Sequence, residues 1–147
     1  FNYGAKLYRR VRESYTFTMS IMTMFLLISG TLGYIFAPHI ISFFRSEDQV
    51  LIEIGSRVLR WQCIAFPLIG LSTSTNMLLQ TIRKTLPATI LSMCRQGIFF
   101  LPILYFAPMF LGLQGVEMTQ AMADVCTFLL AIPIAIGVYK KLSAEAE

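Results

Sequence analysis

Residues 15–37 read YTFTMSIMTMFLLISGTLGYIFA, and Pro38 follows directly. They lie inside a longer run, Ser14 to Phe44, that holds no formally charged side chain. A bilayer core about 30 Å thick takes about 20 mostly apolar helical residues to cross. The stretch therefore reads as a membrane span, and the cations in front of it (Lys6, Arg9, Arg10 and Arg12) as its anchor. Strand readings fail, because the apolar run is unbroken and lacks the alternation of barrel strands. A helix satisfies its own backbone hydrogen bonds, which lipid cannot do.

The rest of the chain has the same character. Hydrophobic residues make up 56% of the 147 positions and charged residues 14%; the mean hydropathy is +0.66. Soluble domains carry about 25% charged residues, so membrane lipid is the expected surroundings. The net charge of +4 does not indicate nucleic acid, since the cations stand at the ends of apolar runs and form no continuous basic face. Cys63, Cys94 and Cys126 sit in apolar segments without paired spacing and read as small apolar residues rather than disulfides or metal ligands. No metal site and no cofactor are expected.

Three further spans follow, at about 60–82, 87–109 and 115–139, which gives an all-α membrane protein with four transmembrane helices. Four crossings put the loop 1–13, the connection TIRKTLP with Arg83 and Lys84, and the tail with Lys140 and Lys141 on one side. Positive loops stay inside, so both ends of the chain are expected in the cytoplasm and the protein in the plasma (inner) membrane, as a multi-pass protein. On the outer side, Ser46 and Gln49 fit a capping box, with Glu47 and Asp48 where a helix start favours negative charge. The spacing of Val50, Leu51, Ile54 and Val58 predicts an amphipathic interfacial helix over about 47–58 that turns into the second span.

Charges in hydrocarbon cost several kcal/mol unless paired or solvated. Arg95 stands roughly 12 Å along its helix from Pro87, and Asp124 roughly 14 Å along its own from Gly115. The two helices run antiparallel, so these groups are expected to face inward and pair, directly or through water. Helical spacing places Glu117, Gln120, Asp124 and Thr127 on one stripe. That stripe reads either as the wall of a polar cavity or as an outer-interface Glu117 plus one buried partner for Arg95; for Glu117 the interface is the expected position. In the second span, Ser72, Thr73, Ser74, Thr75, Asn76 and Gln80 can bond across helices or line a route; Asn76 and Gln62 are kept as pathway candidates. Gly30, Gly33 and Gly70 permit close helix approach, and Pro67, Pro102 and Pro133 can kink. His39 reads as interfacial. There is no phosphate loop, metal spacing or nucleophile elbow, and an enzyme is not expected.

Together the motifs resemble a known family. FNYGAKLYRRVRE is similar to the cytoplasmic loop of multidrug and toxic compound extrusion (MATE) transporters. SMCRQGIFFLPILYF resembles their eleventh helix through Arg95, Gln96, Gly97 and Pro102. GLQGVEMTQAMADVCTFLLAIPI resembles the start of their twelfth through Gly112, Gly115, Val116, Gln120, Ala123 and Asp124. The resemblance implies helices nine to twelve, part of the carboxy-terminal six-helix lobe of a two-lobe, twelve-helix transporter. The remaining helices of that transporter would then be this chain's partners. It also implies export of organic cations or drug-like compounds by antiport against sodium or protons. Glu117 and Ala121 depart from the usual Trp and Pro, and the second span lacks the acidic ion ligand that some branches carry, which points to a coupling acid elsewhere. Two alternatives are a lipid-linked oligosaccharide flippase of the same superfamily and a four-helix membrane subunit without transport.

Overall fold

A computed structural model describes residues 1–44 and 48–145. Helix α1 spans Tyr8–Phe44 and α2 spans Gln49–Thr81; α3 covers Thr85–Met93, α4 Phe100–Leu111 and α5 Leu113–Ala144. Between α3 and α4, Cys94–Ile98 form a single π turn, so Thr85–Leu111 is one continuous rod. The described residues are helical throughout, apart from short connections.

Residues 1–7 fold into hydrogen-bonded turns in front of α1: Leu7 N donates to Asn2 O at 2.9 Å and Lys6 N to Tyr3 O at 3.1 Å. Helix α2 begins with Asp48 as its cap, the carboxylate accepting from Val50 N at 3.1 Å and Leu51 N at 3.2 Å. The expected capping box used Ser46, and the expected start lay near Glu47; both positions fall outside the described residues. The interfacial helix and the second span are joined without a turn. Val58, Leu59, Arg60 and Trp61 contain neither Gly nor Pro, so nothing interrupts the hydrogen-bond ladder and α2 runs for 33 residues.

Among the described residues, three helices are long and apolar enough to cross a membrane: Tyr8–Phe44, Thr85–Leu111 and Leu113–Ala144. The fourth expected span lies in α2, which is long enough but more polar. It holds Gln62, Asn76, Gln80 and the hydroxyls of residues 72–75, and it packs between α1 and α5. A helix shielded on both sides by protein tolerates such groups, whereas one facing lipid does not. Phe17, Phe25, Phe43, Leu101, Phe110 and Leu129 are exposed, as expected when the surrounding solvent is apolar.

The hydroxyls do tie helices together. Tyr15 and Thr75 share a buried hydrogen bond of 2.9 Å between α1 and α2, and Asn76 Nδ2 donates to Ser92 Oγ at 2.7 Å between α2 and α3. Ser72 instead bonds back to its own helix, at Leu68 O. Val11, Tyr15, Leu79, Leu91, Val138 and Leu142 belong to one apolar cluster that joins α1, α2, α3 and α5. Beside it, Arg12 lies over the Tyr139 ring at 5.6 Å and donates to Ser143 Oγ at 3.0 Å, fastening the start of α1 to the end of α5.

Gly30 shows why α1 and α2 approach so closely: a Cβ there would sit 2.8 Å from the backbone oxygen of Cys63. A backbone atom cannot swing aside, so Gly30→Ala is expected to cost about 1–3 kcal/mol through overpacking. The corresponding measurement is a lowered thermal midpoint in detergent. Gly137→Ala serves as the comparison, since nothing lies within 4 Å of its Cβ; it should leave the midpoint unchanged or raise it slightly, through better helix propensity.

Candidate functional site: a buried carboxylate shared by three helices

Asp124 lies on α5 where α2 and the π turn both approach it, and its side chain is 1% exposed. Three donors converge on it. Arg95 Nε donates to Oδ1 at 2.7 Å, Gln62 Nε2 to Oδ2 at 2.9 Å, and Gln120 Nε2 to Oδ1 at 3.4 Å. The contact with Arg95 has the short distance of a charge-assisted bond. The expected pair is therefore present and direct, and Gln62 and Gln120, both read as candidates from sequence, complete its shell. Burying a carboxylate without such partners costs far more than a protein of this size can offset.

Arg95 reaches Asp124 because of the local backbone. Pro102 has no N–H to offer Ile98 O, and its ring crowds that carbonyl. The chain answers one turn earlier, where Phe99 N bonds Cys94 O at 2.9 Å, five residues back. That π turn adds one residue and so shifts the helix faces on its two sides by about 100° relative to each other. Gly97 lies inside it with nothing near its Cβ position. Of the three prolines expected to bend helices, Pro102 thus acts through the π turn, while Pro67 and Pro133 lie inside α2 and α5.

Glu117 lies two turns before Asp124 and differs from expectation. It is no exposed interfacial residue, for its side chain is 2% exposed. Arg57 clasps it from α2 with two parallel bonds, Nε to Oε2 and Nη2 to Oε1, each 3.1 Å. Arg57 Nη1 also meets Glu53 at 3.0 Å. The hydrogen bonds to Glu117 hold the Arg57 guanidinium charged to higher pH than usual. Sequence reading left Arg57 among the loop charges. The available signal was the Glu53–Arg57 spacing of four, which supports a continuous helix through this segment. Arg60, one turn further on, lies over the Tyr34 ring at 5.4 Å.

Asn76 does not reach Asp124. It faces a cavity of about 330 Å³ lined by Ser72, Thr73, Asn76, Leu91, Ser92, Arg95, Gln96 and Thr127. The polar stripe of α5 is thus divided. Glu117 and Asp124 turn to partners on other helices, Gln120 supports Asp124, and Thr127 borders the cavity while donating to Ala123 O at 2.8 Å. His39 is exposed, edge-on to Phe36 at 6.3 Å. Among the described residues no cluster of His, Cys, Asp and Glu has the arrangement of a metal site, and the three cysteines are free.

A comparison with family models matches the MatE family over residues 1–106. That range takes in α1, α2, α3, the π turn with Arg95, and the first half of α4. No curated protein and no solved structure matches the chain. The match covers well over half of the sequence and agrees with apolar helices suited to a multi-pass membrane protein. The chain belongs to the MatE family, a family of membrane transporters rather than enzymes.

Proposed function

We propose that this chain forms part of a secondary active exporter that moves organic cations or other drug-like compounds outward by alternating access, in exchange for sodium or protons. The observation that carries this reading is the Asp124 constellation: a carboxylate buried among three helices, held by Arg95, Gln62 and Gln120, next to a polar cavity. Ionisable groups at such depth are expensive and mark ion or substrate pathways in membrane proteins. The chain would lie in the plasma (inner) membrane with both ends in the cytoplasm, in keeping with the cations before α1, at Arg83 and Lys84, and at Lys140 and Lys141. It would contribute four helices to a carboxy-terminal lobe and work against the remaining helices of the same transporter. The cavity has one cation in its lining, Arg95. A flippase for lipid-linked oligosaccharides would need a cluster of them for its phosphates, so export is the better supported reading.

The test is transport by the full-length transporter that contains this chain, in lipid vesicles with sodium and proton gradients imposed separately. One of the two should drive accumulation of an organic cation; failure of both removes the reading. Asp124→Asn should lower that transport at least tenfold and reduce the thermal midpoint in detergent, because the Arg95 guanidinium is left without its counter-charge. Unchanged transport together with unchanged stability would show that Asp124 matters to neither.

A further inference from the structure

The cavity beside Arg95 says something about the ligand. Its lining is Leu91 plus seven polar side chains, and the only formal charge among them is the Arg95 guanidinium. Both nearby acids are turned away from it: Asp124 is 1% exposed and Glu117 2%, each with both oxygens engaged. A cationic group entering here would meet a positive charge and no free carboxylate.

Arg95 is also set up to bind. Only its Nε is used on Asp124, and among the described residues no hydrogen bond engages its two terminal nitrogens. The side chain is 34% exposed, so the fork of a guanidinium, which fits a carboxylate with two parallel bonds, stays accessible. Asp124 fixes the other edge, and Gln62 and Gln120 disperse its negative charge away from the cavity. Ser92 Oγ accepts from Asn76 at 2.7 Å, which leaves its own proton free to donate. The Gln96 amide lines the same wall. The volume, about 330 Å³, falls at the lower end of small-molecule sites.

We propose that this cavity is a binding site for the carboxylate of an acidic or zwitterionic amphiphile, with Arg95 as the anion-binding residue, Ser92 and Gln96 as supporting donors, and Asp124 as the positioning residue for Arg95. The proposal rests on the export reading above for its place in a transport cycle and narrows the substrate class at this part of the molecule. No covalent step is involved.

The experiment is equilibrium binding of dansylglycine, a fluorescent amphiphile with one carboxylate, to the full chain in detergent, compared with its methyl ester. The acid should bind at least about tenfold more tightly than the ester, the margin expected of charge-assisted hydrogen bonds. Gln96→Glu puts a negative charge in the cavity at an exposed position; it should weaken the acid about tenfold and leave the ester within twofold. Arg95→Gln combined with Asp124→Asn removes both charges together, so that no unpaired ion is left buried, and should abolish the preference for the acid. Equal affinities for acid and ester in the native protein, or an equal response of both to Gln96→Glu, would overturn the proposal. Binding is read without any gradient, so this result is separate from the vesicle assay. A clear preference for the acid alongside failed gradient-driven transport would keep the site and remove the exporter, and the reverse outcome would remove the site alone.

Discussion

A carboxylate cannot be placed among apolar helices without an answer to its charge, and much of this structure is arranged around the answer given to Asp124. Its three donors come from α2, from the π turn and from α5 itself. Helix association in lipid has little hydrophobic driving force, because acyl chains are as apolar as leucine. Directional contacts must then decide which helix faces meet. The Asp124 cluster does so for three elements at one point, and Arg57 with Glu117 does so again between α2 and α5, two turns away. Both acids project from the same stripe of α5, so that helix acts as the spine to which the others are keyed.

This keying explains the contrast between the inside and outside of the molecule. The largest fully buried side chains include Thr75, Thr119 and Thr127 next to Leu79, Leu91 and Leu142, a mixture unusual for a water-soluble core. The outward surface is rich in Phe, Leu and Ile. Polar side chains thus take part in helix contacts, while large apolar side chains dominate the outward face.

Much of this was legible in the sequence, for definite reasons. Arg95 and Asp124 stand out because each interrupts an apolar run, and the helical rise places them at matching heights on antiparallel helices. Gln62 and Gln120 were visible as polar side chains inside apolar spans, Gln120 on the same stripe of α5 as Asp124. Glu117 was misplaced because its partner, Arg57, is sixty positions away on a segment that reads as interfacial; only continuity of α2 brings the two together. That continuity depends on the absence of breakers at residues 58–61, a negative signal easily outweighed by the change in composition there. The π turn was hidden for another reason. The effect of Pro102 falls on the carbonyl four residues upstream, so its consequence appears around Gly97 rather than at the proline.

The rod from Thr85 to Leu111 therefore carries one residue more than its turns require, and that surplus sets the phase between its two halves. Residues 85–93 and 100–111 belong to two separate helical wheels, and any pattern of small or apolar positions has to be projected onto each independently. A single-residue deletion inside 94–98 would absorb the surplus and leave both halves regular. It would also turn α4 about the axis relative to α3 by about 100°, so the length of this five-residue segment carries as much information as its composition.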